Sequence, residues 1–260
     1  MERKKVALVL GGGASLGYAH IGVIKVLEKH NIPIDMIVGT SMGALIGGAY
    51  TAGMTASEIE EAARKFKLIH FFDVNFDIRG IFSGKGVMKK LNKYLPNINI
   101  EDMPKPFACV ATDLVEEKQV VINSGSLREG VRASMSIPGI FVPVIKGNQV
   151  LVDGGILNNL PEDVAADMGA DIIISCDVLT KCKTGRSPKN MVTSLVSAFN
   201  LSTKEIQKFK SLHYDILLQP DTSKCTQIDF TQKGAARIIR EGEIEAEKHI
   251  KEILKLIQSN

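Results

Sequence analysis

The chain has 260 residues, of which 45% are hydrophobic and 23% are charged. These values are typical of an ordinary globular α/β protein, so we expect one domain over residues 1–260. The net charge of +3 is too small to indicate a nucleic-acid partner. The four cysteines have neither the spacing of a zinc site nor the density of a secreted disulfide scaffold. We therefore predict reduced thiols, a cytoplasmic location, no metal and no nucleic-acid binding.

Two apolar stretches resemble targeting or membrane segments. The run Val6-Ala7-Leu8-Val9-Leu10 ends at Gly11, which makes it too short for the core of a signal peptide, and it is interpreted as a buried strand. The stretch from Met36 to Ser57 carries no charge, but it contains several glycines and has no basic flank. We therefore predict a soluble protein without a membrane span.

Apolar strand-like runs alternate with segments of helical periodicity along the chain. The predicted strands are Val6–Leu10, Met36–Val38, Phe107–Thr112, Gln119–Ile122, Ile172–Asp177 and Tyr214–Leu218, with a hairpin of Val142–Ile145 and Val150–Val152. Helices are predicted after the glycines at 11–17, from the serine corner to about Ala52, over Glu58–Lys67, up to Leu95, over Ser126–Met135, from Pro161 to Gly169 and from about Gly234 to Ile257. This alternation favours an α/β fold with a mainly parallel sheet.

Two further segments have more than one interpretation. Phenylalanines cluster at Phe71, Phe72, Phe76 and Phe82, and a secondary core cluster is favoured over the lining of an acyl pocket. The long final helix has an apolar face, for which packing on the core is favoured over an interfacial contact with a membrane.

The pentapeptide Gly39-Thr40-Ser41-Met42-Gly43 lies between a β-branched run and an apolar run of small residues. This pattern predicts a strand that turns sharply into a helix with Ser41 at the corner, and Gly39 and Gly43 would let strand and helix come close. The N-terminus of the helix offers N–H groups for a developing oxyanion. The pattern thus indicates a nucleophile, with a plain strand–helix turn as the alternative.

A serine nucleophile needs a base, and no histidine is well placed to be one. His213 precedes an apolar strand and His249 lies within the final helix. His20, just past the glycine loop, could approach Ser41, but a hydrogen-bonded histidine of the first helical turn is the favoured interpretation. Asp153, on a turn directly after a strand, remains as the base. That role requires direct contact with Ser41 and partial burial, because an exposed carboxylate with a pKa of about 3.9 is a weak base. A structural turn aspartate is the alternative.

The loop Gly11-Gly12-Gly13-Ala14-Ser15-Leu16-Gly17 joins the first strand to a helix. A dinucleotide site is disfavoured because the pattern lacks its middle glycine and no acid ends the second strand. A Walker lysine at the required spacing is also missing. Exposed backbone N–H groups can also bind an oxyanion, and an attack by Ser41 would produce one. We therefore predict an oxyanion loop and no cofactor.

Three ordered motifs together resemble the patatin-like phospholipases: the glycine loop, the Ser41 pentapeptide and Asp153-Gly154-Gly155. The segments after the glycine loop and on either side of Asp153 are also similar, namely Ala19-His20-Ile21-Gly22-Val23, Ala133-Ser134-Met135-Ser136-Ile137-Pro138-Gly139 and Asn158-Asn159-Leu160-Pro161. The resemblance is close over residues 6–167 and looser beyond them.

This resemblance implies a three-layer α/β/α sandwich that hydrolyses acyl esters of lipids with a Ser–Asp dyad and without a metal. Carried over, Ser41 is the nucleophile, Asp153 is the base, and the backbone N–H groups of Gly12, Gly13 and Ala14 form the oxyanion hole. The chain departs from the family where Ala14 replaces a glycine and Leu16 replaces a basic residue. Without the basic side chain at position 16, a contact to an anionic head group is lost. Ala14 would distort the loop if position 14 needs a left-handed conformation.

The expected partner is a lipid or acyl-ester substrate, with transient contact to a membrane surface; nothing in the sequence indicates an oligomeric state. Acyl transfer and thioester hydrolysis are alternative reactions of the same dyad. A lipid-binding regulatory protein with vestigial hydrolysis is an alternative of another class.

Overall fold

A mainly parallel sheet forms the centre of the computed structural model, which describes residues 3–66, 78–182, 188–210 and 213–258. Its eight strands are β1 (Val6–Leu10), β2 (Met36–Thr40), β4 (Phe107–Asp113), β5 (Lys118–Ile122), β7 (Val144–Lys146), β8 (Gln149–Asp153), β9 (Ile172–Cys176) and β10 (Ile216–Leu218). A separate two-stranded sheet pairs β3 (Gly80–Phe82) with β6 (Gly139–Phe141).

The strand order is β10-β9-β1-β2-β4-β8-β7, and β5 also pairs with β4. The first five strands in this order run parallel, whereas β5 and β8 are antiparallel to β4 and β7 is antiparallel to β8. A parallel strand covered on both faces needs apolar residues throughout, which explains the unbroken apolar run of β1. All five residues of β1 are buried.

Helices cover both faces of the sheet. They are α1 (Ala19–Lys29), α2 (Met42–Thr51), α3 (Ala56–Lys65), α4 (Lys85–Tyr94), α5 (Leu127–Ser134), α6 (Glu162–Asp167), α7 (Met191–Gln207) and α8 (Gln232–Gln258). Because successive strand residues point to opposite faces, Leu8 packs in the core that contains α1, α2 and α8, while Val9 packs against α6. The predicted three-layer α/β/α sandwich is confirmed.

The final helix, α8, packs closely against α1. A Cβ atom on Gly22 would lie 2.0 Å from the carbonyl oxygen of Ile239, and one on Gly242 would lie 2.0 Å from that of Ala19. The two helices therefore approach each other at glycines, and the structure agrees with the core-packing interpretation of this segment. Across the described ranges, every helix is too short or too polar to cross a membrane.

Three features differ from the sequence prediction. Helix α7 and the small β3–β6 sheet were not predicted, and the hairpin strands end at other residues, with a turn at Gly147 and Asn148 between β7 and β8. Of the phenylalanine cluster, Phe82 packs against Phe141 with ring centroids 6.1 Å apart. Phe71, Phe72 and Phe76 lie outside the described residues.

Candidate active site

Ser41 occupies the corner between β2 and α2, where its backbone has φ 55° and ψ −119°. Such a conformation is strained for a residue with a side chain, and it projects the hydroxyl out of the turn. The corner needs the glycines around it, because a Cβ atom on Gly39 would lie 2.6 Å from the carbonyl oxygen of Gly43, and one on Gly43 would lie 2.0 Å from that of Leu10. The predicted strand–turn–helix around Ser41 is present.

Asp153 ends β8, is completely buried, and faces Ser41. Its Oδ2 accepts a hydrogen bond of 2.7 Å from the Ser41 hydroxyl, and its Oδ1 accepts one of 2.9 Å from the Gly155 N–H. Burial raises the pKa of Asp153 to about 7, although the two hydrogen bonds act in the opposite direction and lower it. The carboxylate is thus in direct contact with the hydroxyl and is a stronger base than an exposed one.

The register of β4 brings the two side chains together. Thr40, the last residue of β2, pairs with Val110, and Asp153 pairs with the next residue, Ala111. Because β5 pairs with all of Cys109–Asp113, β2 and β8 share the opposite edge of β4. The end of β2 and the end of β8 therefore meet at one point on that edge.

The glycine loop lies against Ser41. A Cβ atom on Gly12 would lie 3.0 Å from the Ser41 Cβ and 2.6 Å from the Asn159 Oδ1, so a side chain there would displace the Asn159 amide and crowd Ser41. The N–H of Gly12 points to the carbonyl oxygen of Asn159 at 3.4 Å. Among the described residues, the N–H groups of Gly13 and Ala14 have no acceptor. Of the three predicted oxyanion donors, these two are available and the third is already engaged.

The two departures from the family pattern have different structural outcomes. Ala14 has φ 49°, so this position does adopt the left-handed conformation, despite its Cβ atom. Leu16 is fully buried in the main core, and its side chain offers nothing to a head group.

His20 contacts the glycine loop and not Ser41. Its Nε2 lies 2.7 Å from the carbonyl oxygen of Gly11, which can only accept, so Nε2 carries the proton. Burial lowers the pKa of His20 to about 4, and the ring is neutral at pH 7. Within the described ranges, the side chains of Ser41 and Asp153 make no hydrogen bond to a histidine. The same ranges contain no group of three histidine, cysteine or acidic side chains placed to bind a metal.

Sequence reasoning assigned no role to several residues that position the site. The Ser134 hydroxyl accepts a 2.9 Å hydrogen bond from the Ser41 N–H, and the Thr40 hydroxyl donates to the Asn158 carbonyl at 3.0 Å. The Asn159 side chain donates to the Gly12 carbonyl at 3.3 Å. The only available signal was that these residues lie in segments that resemble the family.

An apolar cavity of about 90 Å³ lies on the side of α2 that faces α3 and α4. Met42, which follows Ser41, forms part of its wall, and the cavity continues between α2, α3 and α4. Other lining side chains are Leu45, Ala49, Phe66, Leu91 and Met135. A cavity lined in this way favours an apolar group over water.

Comparison with known proteins places this architecture in a family. A model of the patatin-like phospholipases matches residues 8–166. Patatin-like phospholipase domain-containing protein 6 of Homo sapiens is 36% identical over 190 residues, which cover 70% of this chain and 14% of that protein. An NTE family protein of Mycobacterium bovis is 31% identical over 259 residues, covering 90% of this chain and 44% of that protein. The chain thus spans less than half the length of these curated relatives.

The fold is also shared with a solved structure. VipD from Legionella pneumophila superposes with a TM-score of 0.64 at 16% sequence identity, over 97% of this chain and 67% of that one. At such low identity the likeness shows the fold alone. The match of the family model, however, covers more than half of the residues and includes all three motifs. The chain therefore belongs to the patatin-like phospholipase family.

Proposed function

We propose that this chain hydrolyses acyl esters of lipids with a Ser41–Asp153 dyad, through an acyl-enzyme intermediate. The observation that carries the proposal is the 2.7 Å hydrogen bond from the Ser41 hydroxyl to the buried Asp153 carboxylate. A nucleophile in direct contact with a base of raised pKa is ready for proton transfer as the bond to carbon forms. Membership of the family supports a lipid as the substrate.

In the first half-reaction, Ser41 Oγ attacks the ester carbonyl carbon while its proton passes to Asp153 Oδ2. The carbonyl oxygen becomes an oxyanion, which the free N–H groups of Gly13 and Ala14 stabilise. When the carbonyl double bond reforms, the ester C–O bond breaks and protonated Asp153 gives its proton to the departing alkoxide. Ser41 is left acylated and the alcohol leaves.

In the second half-reaction, water replaces the alcohol. Asp153 takes a proton from the water as its oxygen attacks the acyl carbon, and the same N–H groups hold the new oxyanion. The C–Oγ bond then breaks, the proton returns to Ser41, and a fatty acid is released. The other oxygen of Asp153 stays bonded to the Gly155 N–H throughout, which keeps the carboxylate oriented.

The apolar cavity beside Met42 supports a fatty acyl group as the part of the substrate that is recognised. Since such lipids reside in bilayers, we expect transient contact with a membrane surface during turnover. We further propose that the whole chain forms one domain. Three elements lie beyond the motif-bearing residues 6–167: β9 and β10 belong to the central sheet, and α8 packs on α1.

Labelling with a fluorophosphonate, which reacts with activated serines, tests the proposal. We expect strong labelling of the wild type, none of Ser41→Ala and almost none of Asp153→Asn. Ser194→Ala, an exposed serine on α7, is the matched control and should label as the wild type does. A folded wild type that does not react would overturn the proposal and favour a lipid-binding protein without hydrolysis. Products formed from a lipid ester, with water or with an added alcohol, distinguish hydrolysis from acyl transfer.

A further inference from the structure

Helix α7 exposes apolar side chains on its outer face. Met191 is 65% exposed and Leu201 is 51% exposed, and Phe209, just beyond the helix, is 88% exposed. Leu195 and Ile206 are also exposed. From residue 191 to residue 203 the chain carries no charge. An outward face of this kind is unusual for a helix in water, where the exposed side is normally polar.

The inner face of α7 lies on the turn that follows Asp153. The Thr203 hydroxyl donates a 3.0 Å hydrogen bond to the carbonyl oxygen of Gly155, whose N–H is bonded to Asp153. A Cβ atom on Gly155 would lie 3.1 Å from the ring of Phe199. The exposed apolar face is therefore one helix diameter from the turn that carries the candidate base.

The charged residues of this segment itself are mainly positive. Within residues 188–210, four lysines accompany a single acid, Glu205. The lysines lie at both ends of the uncharged segment, at 189, 204, 208 and 210. Lys208 pairs with Glu205, and Lys210 lies near the acids Glu162 and Asp163 of α6. Lys189, at the start of the helix, is exposed. An apolar helix face with basic flanks complements the surface of an anionic bilayer, where the apolar side chains enter the acyl region and the lysines approach the phosphates.

We propose that the outer face of α7, with Phe209, inserts into the surface of an anionic phospholipid bilayer. Insertion there would bring the Ser41–Asp153 site to the membrane, where a lipid substrate is found. The choice of a lipid surface over a protein partner rests on the proposed function together with the positive flanks. The binding itself does not require Ser41, so it can be measured separately from hydrolysis.

Sedimentation with vesicles of roughly equal parts phosphatidylcholine and phosphatidylglycerol tests this proposal. All proteins carry Ser41→Ala, which prevents lipid breakdown and leaves α7 intact. The variant Met191→Gln/Leu201→Gln/Phe209→Gln keeps good helix-forming residues in α7, and we expect its partitioning onto vesicles to fall at least about tenfold. The control Val121→Gln/Ile228→Gln/Ile244→Gln changes three exposed apolar residues elsewhere and should bind as its parent does.

With Ser41 restored, the α7 variant should hydrolyse a soluble short-chain ester at the parent rate. Vesicle binding without ester hydrolysis by the wild type would support the membrane surface and overturn the proposed function. Hydrolysis without vesicle binding, or equal binding by the α7 variant and its parent, would overturn the membrane surface alone. One further result would overturn the membrane surface: the parent is dimeric and does not bind vesicles, and the α7 variant is monomeric. That result would show that α7 binds a second copy of the chain.

Discussion

The backbone N–H of Ser41 donates a 2.9 Å hydrogen bond to the Ser134 hydroxyl, which in turn donates to the carbonyl oxygen of Val110 at 2.7 Å. Ser134 thereby links the strained corner at Ser41 to β4, the strand with which Asp153 also pairs. Since all three groups are buried, this hydroxyl helps to determine where the Ser41 side chain lies relative to Asp153.

Replacing Ser134 with alanine should disturb the corner and slow the reaction. The change leaves the Ser41 N–H buried without an acceptor, which costs about 1–3 kcal/mol of unfolding free energy. We expect kcat for a soluble ester to fall by about tenfold or more while KM changes little, because the nucleophile and not the binding cavity is affected. Urea unfolding and ester kinetics measure the two effects. Ser124→Ala, at an exposed position, is the control, and parent-like values for both variants would contradict the role of Ser134.

The pH dependence of kcat/KM should follow the ionisation of Asp153. Burial raises the pKa of Asp153 to about 7, and only the ionised carboxylate accepts the Ser41 proton. We therefore expect kcat/KM to rise with pH up to about 7 and then to level off. His20 adds no step above pH 5, because burial lowers its pKa to about 4. A profile already flat at pH 5 would show that the carboxylate keeps its ordinary pKa and would contradict the effect of burial.

The same shift in pKa predicts how Asp153→Asn changes stability. Between about pH 4 and pH 7 the folded protein holds a proton on Asp153 that the unfolded chain releases, so the free energy of unfolding falls as pH rises through this range. Asparagine resembles the protonated, uncharged acid: its Oδ1 can accept from the Gly155 N–H, and its Nδ2 can donate to the Ser41 hydroxyl oxygen. We expect the variant to match the wild type near pH 4 and to be more stable at pH 8, by about 1.4 kcal/mol for each unit of raised pKa.

Urea unfolding at the two pH values measures this difference. His20 is buried in both proteins, and burial lowers its pKa equally in both, so its opposite contribution to the pH dependence cancels when they are compared. A difference in unfolding free energy that stays constant between pH 4 and pH 8 would contradict a raised pKa for Asp153.

Much of the fold could be predicted because its strands are buried on both faces and its helices end at recognisable residues. The apolar run of β1 and the glycine-flanked corner at Ser41 are local patterns, and each was found in the structure. Helix α7 was missed because Met191, Leu195 and Leu201 point outward while Val196 is buried, so apolar residues occur all round and the helical periodicity is hidden. The capping pair of Asn190 and Thr193 was the signal that marked its start.

The site was predictable as motifs but not as geometry. Ser41 and Asp153 are 112 positions apart, and their contact depends on the pairing of Thr40 and Asp153 with consecutive residues of β4. No local pattern reports such a register between distant strands. For the same reason, the sequence could not predict the hydrogen bond from the Gly12 N–H to the Asn159 carbonyl oxygen.

Replacing Ala14 with glycine should stabilise the protein. Ala14 has φ 49°, a conformation that costs a residue with a Cβ atom about 1–2 kcal/mol, while the greater freedom of glycine in the unfolded chain offsets about 0.4–1 kcal/mol. We expect a net gain of about 0.5–1 kcal/mol in urea unfolding, with ester hydrolysis at or above the parent rate, since the N–H is kept. Glu117→Gly is a matched control, because Glu117 has φ 51° in the β4–β5 turn. Destabilisation by Ala14→Gly would contradict a strained loop.

Filling the apolar cavity should alter the choice of acyl chain. Ala49 lies on α2, is 5% exposed and lines the cavity, so Ala49→Phe would place a ring in the space proposed for the acyl group. Overpacking costs about 1–3 kcal/mol of stability, and a thermal melt confirms that the variant is folded at the assay temperature. We expect kcat/KM for an octanoyl ester to fall about tenfold or more. The kcat/KM for an acetyl ester of the same alcohol should stay within about twofold of the parent value, because only the longer acyl chain needs the cavity. Ala52→Phe, at the end of the same helix and outside the cavity wall, is the control. An equal loss on both esters would show that the cavity does not hold the acyl chain.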